Sequence, residues 1–327
     1  MKAIVVDQPG DPEVMHLGEA PDPTPQDGEV LLRVHATAVN RADTLQRRGF
    51  YPPPPDASPI IGMEAAGVVA ALGHGVDGWQ VGDRACALLS GGGYAELVAV
   101  PAGQLMRVPA NLDDISAAAI PEVFITAHDN LVTRAQLRSG ETLLIHGGAG
   151  GVGTAAIQVG RRLGARVLVT AGSAEKLRRC AELGADAGIN HREEDFVERS
   201  RALTGGRGVD VILDVMGAAY LERNVASLAT DGRLVIIGLQ GGVNADIDLN
   251  LLMRQRITVI STTLRGRPLE QKAEIVARAA ADLLPGFADG SLRAVVDRVL
   301  PLADAAEAHR VMEAGESVGK IVLRVAG

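Results

Sequence analysis

Residues Leu143–Gly153 read LLIHGGAGGVG. Four residues with strand character, Leu143 to His146, run into a stretch in which only Ala149 and Val152 carry side chains. Gly148-Ala-Gly150-Gly-Val-Gly153 fits G-x-G-x-x-G between a strand and a helix over about 151–163, the setting in which this spacing marks a dinucleotide turn. Bare backbone lets a pyrophosphate approach closely. The unpaired main-chain N–H groups of Gly151, Val152 and Gly153, at the positive end of the helix dipole, suit that doubly charged group. A glycine turn packed against a neighbouring element is the alternative; the strand before and the helix after favour the dinucleotide.

The next strand, near 166–170, bears on which dinucleotide. An NAD site usually ends this strand in Asp or Glu, which accepts hydrogen bonds from the adenosine ribose. Here the chain continues Ala171-Gly-Ser173-Ala-Glu175-Lys176. Small residues leave room for a 2′-phosphate, Ser173 can donate to it and Lys176 brings a compensating charge, so NADPH is expected. Glu175 is read as an outward-pointing residue of a helix start, where a negative charge meets the dipole favourably.

Working outward, residues 121 to about 267 alternate strands with helices, the rhythm of a parallel sheet covered on both faces. Strands are expected near 142–146, 166–170, 187–190, 209–215, 233–238 and 257–263, and helices near 151–163, 174–183, 194–203 and 218–229. Six strands suit a doubly wound sheet. Residues 1 to about 120 differ in texture, with proline, glycine and alternating stretches such as Glu29–Val39 that read as mostly β. Beyond Pro268 come a helix over about 269–284, a strand near 295–299, a helix near 302–314 and a last strand over 320–325. These are expected to rejoin the first domain, giving segments 1–120, 121–267 and 268–327. The fold class is α/β.

Composition narrows the function. The 327 residues are 47% hydrophobic and 22% charged, enough for a large packed core, with a formal net charge of −8. The basic pairs Arg47–Arg48, Arg161–Arg162 and Arg178–Arg179 are isolated and read as helix-surface residues, so nucleic acid is not the expected partner. No apolar run is long enough to span a membrane and MKAIVV reads directly as a strand, so a cytoplasmic protein is expected. Cys86 and Cys180 lack disulfide or zinc spacing and read as buried, reduced thiols. His128 and His146 are read as structural.

Several stretches together resemble the medium-chain dehydrogenase/reductase superfamily: Gly67-Val-Val-Ala-Ala-Leu-Gly73-His-Gly75, Val81-Gly-Asp83-Arg84 and the closing Gly319-Lys-Ile-Val-Leu323. Within it, Asn40-Arg-Ala-Asp43, Gly49-Phe-Tyr51-Pro-Pro-Pro-Pro55, Ile61-Gly-Met-Glu64, Gly91–Gly93, Ala118-Ala-Ile-Pro-Glu122 and Gly153-Thr-Ala-Ala-Ile157 resemble the quinone oxidoreductases, closest to the p53-inducible type, sister to ζ-crystallin. The resemblance covers nearly the whole chain. It implies a GroES-like β-rich domain completed by the C-terminal segment, a Rossmann domain, and an active-site cleft between them.

The resemblance sets Asn40 and Met63 where zinc alcohol dehydrogenases carry cysteine and histidine ligands, and neither replacement suits zinc. The four-cysteine structural lobe is also missing, so a metal-free reductase is implied. Without a Lewis acid, alcohol oxidation lacks alkoxide stabilisation, whereas an electron-poor quinone or enone needs a placed hydride and a proton. Tyr51 and Asn40 are the implied catalytic residues, each a possible donor to the substrate oxygen; Tyr51 can equally be a pocket wall. Arg41 and Asp43 are expected to form an ion pair that organises their loop. Thr126, Met216, Gly238, Leu239 and Leu264 match positions lining the dinucleotide. His191 stands where relatives carry a tyrosine beside the adenosine phosphate, and its protonation would favour NADPH. Gly150 replaces a serine of the p53-inducible type. Acceptor choice is assigned to the loops around Tyr51, Tyr94 and Arg265, and a homodimer through the edge strand near 257–263 is implied. NADPH:quinone reduction leads; enone reduction and a redox-silent NADPH-binding protein stay open.

Overall fold

The computed structural model describes residues 1–325, so the last two residues of the expected 268–327 segment lie outside the described residues. The chain forms two compact units, Met1–Ile125 with the stretch from Leu264 to the C-terminus, and Thr126–Thr263.

The first unit begins with an antiparallel pair, β1 (Lys2–Val6) and β2 (Met15–Glu19). β3 (Glu29–Ala38) follows, then α1 (Arg41–Arg47), β4 (Glu64–Leu72), β5 (Arg84–Leu88), β6 (Leu97–Pro101), β7 (Leu105–Arg107) and α2 (Asp114–Ala118). The alternation expected in β3 is real: Val30, Leu32, Val34 and Ala36 are buried while Arg33 faces solvent. That period of two turns one face of β3, which lies between β4 and the C-terminal strand Lys320–Arg324 in the sheet, into a core with Val69, Ala85, Val98 and Val100. The chain leaves this unit within α3 (Pro121–His128), which runs into a π-helical turn over Asp129–Arg134.

The second unit holds β8 (Thr142–Ile145), α4 (Gly151–Arg162), β9 (Arg166–Ala171), α5 (Ala174–Glu182), β10 (Ala187–Asn190), α6 (Phe196–Leu203), β11 (Val209–Asp214), α7 (Leu221–Ser227), β12 (Leu228–Ile236), α8 (Leu249–Gln255) and β13 (Thr258–Ser261). All pairings are parallel, in the order β10-β9-β8-β11-β12-β13. The order reverses beside β8, where a doubly wound sheet opens a crevice at the carboxyl ends of its strands. Leu144, Leu168, Ile189, Ile212 and Leu234 form its core with Phe196 of α6.

The chain returns to the first unit with α9 (Leu269–Asp289), β14 (Val296–Pro301), α10 (Ala305–Ala314) and β15 (Lys320–Arg324). β15 pairs antiparallel with β3 and parallel with β14.

Two boundaries differ from expectation. α9 runs to Asp289, past the expected end near 284 and through Pro285, because burial of Phe287 against Phe124, ring centroids 4.8 Å apart, holds the last turn. β12 begins at Leu228 rather than near 233: its register with β11 breaks between Val209 and Val211, and Asp231 takes a φ of +63° in the bulge.

Candidate functional site

In the second unit the glycine turn follows β8, and each glycine has a different reason. A Cβ on Gly153 would stand 2.3 Å from the carbonyl oxygen of Gly147, and one on Gly148 would stand 2.6 Å from Cβ of Val169. Gly150, the residue before α4, would meet only the Gly147 oxygen at 3.3 Å. Two of the three therefore set the closeness of turn, helix and sheet. The N–H groups of Gly151, Val152 and Gly153 occupy the first turn of α4, where no preceding carbonyl can satisfy them.

At the end of β9, Ser173 caps α5 by accepting from the Lys176 N–H, and Lys176 lies in the first turn. Glu175 points outward to Arg178. β10 lies beside β9 with Asn190 opposite Ala171, so the residues after each strand meet. A Cβ on Gly172 would lie 3.1 Å from Nε of Arg192 and 3.3 Å from Nε2 of His191. Burial, then the charges of Arg192 and Lys176, push the His191 pKa down. The protonated His191 considered from sequence is thus disfavoured, and Arg192, which sequence reasoning missed, brings a guanidinium to the same place. Its signal was legible: His191-Arg192 directly follows the strand that neighbours β9.

Met216 and the 238–241 loop also meet, at the ends of β11 and β12. Gly241 N–H donates to the Met216 carbonyl at 2.7 Å, a Cβ on Gly238 would approach the Val215 oxygen to 2.9 Å, and Leu239 is exposed. Thr126 lies on α3, its carbonyl bonded by Asn130, and Leu264 opens the return of the chain to the first unit. His146 is structural, as expected: it bonds Asn224 and Thr170, and burial lowers its pKa to about 4. His128 is buried. Cys86 and Cys180 are buried free thiols, their pKa values pushed by burial to about 12 and about 11.

In the first unit, Asn40, one of the two expected catalytic residues, belongs to a dense polar cluster. Nδ2 of Asn40 donates to Oε1 of Glu64 at 2.9 Å and to the Ala38 carbonyl at 3.3 Å, while its Oδ1 accepts from Lys320 at 2.5 Å. Both amide hydrogens are therefore engaged, and the free donor expected of Asn40 is not present in this arrangement. Lys320 pairs with Glu64 at 2.8 Å, and the second Glu64 oxygen accepts the Glu122 N–H at 2.9 Å. Burial, then Glu64, raises the Glu122 pKa to about 8.

Three further expectations are corrected here. Asp43 accepts from the Asn40 main-chain N–H, and Arg41 instead donates to the Met312 carbonyl; they form no ion pair. Arg47 is buried rather than a surface residue, bonded to the Gly10 carbonyl, His309 and Glu313. Tyr94 is also buried, its hydroxyl on His309 at 3.0 Å and Asp43 at 3.4 Å, so it is a core element and not an acceptor-contacting one. The common cause is α10, whose return across α1 no local pattern specifies.

Tyr51 is half-buried, and burial raises its pKa. Gly49, with a φ of +80°, turns the chain out of α1 into the proline-rich loop that carries Tyr51. Arg265 holds that loop: it donates to the carbonyls of Tyr51 (3.1 Å) and Ser90 (2.8 Å) and to Oε1 of Gln46 (2.6 Å), with its guanidinium 5.2 Å from the Tyr51 ring centroid. Lys272, buried, bonds Oγ of Ser90 at 2.7 Å. Among the described residues no group of three or more His, Cys, Asp or Glu side chains could hold a metal ion, and no helix is long and apolar enough to cross a membrane.

These features agree with comparisons to known proteins. Residues 26–110 match the alcohol dehydrogenase GroES-like domain model, and residues 151–281 the zinc-binding dehydrogenase model. The chain is 32% identical to human quinone oxidoreductase over 326 residues, 99% of this chain and 97% of that one. It superposes on the Escherichia coli quinone oxidoreductase complexed with NADPH with a TM-score of 0.91 at 31% identity, covering 99% of this chain and all of the other. A structure described as an NAD-dependent alcohol dehydrogenase gives a TM-score of 0.89 at 34% identity, with both chains fully covered. The first unit thus carries the GroES-like fold and the second the Rossmann fold.

Proposed function

Because the chain belongs to the quinone oxidoreductase family of the medium-chain dehydrogenases/reductases, we propose that it is a zinc-independent reductase that uses NADPH to reduce quinones. Bound NADPH supplies a hydride. The N–H groups of Gly151, Val152 and Gly153 would hold its pyrophosphate. Ser173, Lys176 and Arg192, with His191 beside them, would hold the 2′-phosphate, an arrangement of charge-assisted donors that favours NADPH over NADH. Thr126, Met216, Gly238, Leu239 and Leu264 would line the rest. The single observation that carries the cofactor reading is the end of β9, where a serine and two cations stand and Glu175 turns away to Arg178.

On this reading the first unit forms the catalytic domain and the second the NADPH-binding domain, close to the expected division into 1–120, 121–267 and 268–327. Tyr51, on the loop clamped by Arg265, would orient the acceptor, and Asn40 would act by fixing Glu64 rather than by donating itself. Zinc independence is supported by the chemistry of the two positions concerned: Met63 offers a buried thioether, and the Asn40 oxygen is engaged by Lys320. We place the protein in the cytoplasm as a homodimer joined through β13. The support for pairing is an end strand of the sheet, with Leu249, Met253 and Val259 of α8 and β13 exposed.

The test is a spectrophotometric acceptor panel of ortho-quinones, para-quinones and enones, run with NADPH and NADH side by side. Preferential oxidation of NADPH by quinones is expected. Faster enone turnover would move the assignment to activated double bonds. NADPH binding without turnover of any acceptor would indicate a redox-silent binding protein.

A further inference from the structure

A hydride alone does not complete the reduction of a quinone or enone; the anion left on the acceptor needs a proton. Three carboxyl groups occur in the polar cluster of the first unit, and they are held differently. Glu64 is ion-paired to Lys320 and bonded by Asn40 and the Glu122 N–H. Asp43 is fully buried behind Tyr94 and bonded by the Asn40 N–H. The Glu122 carboxyl, in the first turn of α3, has no hydrogen-bonded partner among the described residues and keeps some contact with solvent.

We propose that Glu122 is the proton donor of the reduction, delivering its carboxylic proton to the oxyanion that forms on the acceptor beside Tyr51. The inference rests on the reductase reading above. Its geometry is a contrast between neighbours: Glu64 is immobilised by three partners, whereas Glu122, tied to it only through its own main chain, keeps a free carboxyl. The groups that act on it are Glu64 of β4 and Asp43 of α1, which disfavour its ionisation, and Lys320 of β15 and Arg265, which favour it. Glu122 in turn acts on Tyr51 and on Lys272 of α9. Burial and Glu64 prevail, so the carboxyl stays protonated up to about pH 8. Such a pair, one carboxylate fixed by a cation and one acid kept neutral, is how a site obtains a proton donor at neutral pH.

The step balances. The acceptor gains a hydride and its electron pair as the dihydronicotinamide is oxidised, leaving one negative charge on acceptor oxygen. The Glu122 O–H bond breaks and a new O–H bond forms on the acceptor. The carboxylate left behind is favoured by the charges of Lys320 and Arg265 and regains its proton from water.

Glu122→Gln keeps the shape and the main-chain bond to Glu64 but holds no transferable proton. With an enone, whose reduced anion is strongly basic, we expect kcat to fall about 10²-fold or more, with NADPH affinity unchanged. The loss of wild-type activity above about pH 8 should vanish in the variant. Infrared titration of the dinucleotide-free protein should show a protonated carboxyl band that disappears near pH 8 and is missing in Glu122→Gln. Wild-type turnover combined with an unaltered kcat and pH profile in the variant, or with no such band, would overturn the role of Glu122 alone. Absence of wild-type turnover with every acceptor would overturn the reductase reading and this proposal with it.

Discussion

Nζ of Lys320 lies 2.8 Å from Oε1 of Glu64, and both side chains are almost completely withdrawn from solvent. They come from strands at opposite ends of the sequence, β15 and β4, and Lys320 also donates to Val39 and Asn40. Removing one partner of such a pair strands the other charge in a low-dielectric interior, at a cost of about 3–5 kcal/mol. Lys320→Met should therefore lower stability by that amount in urea unfolding. The double change with Glu64→Gln should recover much of the loss, because no unpaired charge is left.

The buried chain from Arg47 to Asp43 has a fixed direction. Arg47 can only donate, so Nδ1 of His309 accepts; Nε2–H then donates to the Tyr94 oxygen, leaving the phenol proton for Asp43. The ring is thus neutral, and burial followed by the Arg47 charge lowers its pKa to about 3. His146 is lowered to about 4 by burial. Below pH 6.5 the unfolded chain takes up protons that these folded rings refuse, so stability should fall as pH drops from 6.5 through 4. Unfolding midpoints measured across that range should show a shallower decline in His309→Gln.

The raised carboxyls act with the opposite sign. Burial lifts Asp43 to about 7 and Glu122 to about 8, above the ordinary 3.8 and 4.5. The folded protein therefore holds two protons that the unfolded chain has released. Their contribution is complete below about pH 4 and is lost as pH rises through 7 to 8. Asp43→Asn and Glu122→Gln should each flatten the alkaline side of the stability curve, read as urea midpoint against pH.

The glycines of the turn should differ in tolerance. Gly153→Ala sets a methyl 2.3 Å from a main-chain oxygen that cannot move away without displacing α4. NADPH affinity should fall more than 10-fold, by fluorescence titration. Gly150→Ser meets the Gly147 oxygen at 3.3 Å, a contact that a small shift relieves, at an ordinary φ of −74°, and should bind NADPH nearly as the wild type does.

At the end of β9, Lys176→Ala and Arg192→Ala should each weaken NADPH binding about 10- to 100-fold, the worth of one hydrogen bond to a charged group. NADH binding should scarcely change. Isothermal titration with both dinucleotides measures the difference; equal losses would show that neither residue reads the 2′-phosphate.

For assembly, sedimentation of the wild type should report twice the chain mass. Val259→Lys, placing a charge on the exposed face of β13, should yield single chains.

What the sequence determined by itself was whatever depends on neighbours along the chain. The alternation in β3, the strand–helix rhythm of the second unit and the glycine turn before α4 are local patterns, in which side-chain period and missing Cβ atoms specify geometry directly. The strand adjacency that joins Arg192 to Gly172 was implicit in the same rhythm. The polar cluster was decided only by tertiary structure. Asn40 meets Lys320, and Arg47 meets His309, across more than 260 residues. Whether an amide is a free donor, an arginine lies on the surface or a carboxyl keeps its proton depends on which distant groups replace water around it, and no spacing along the chain encodes that replacement.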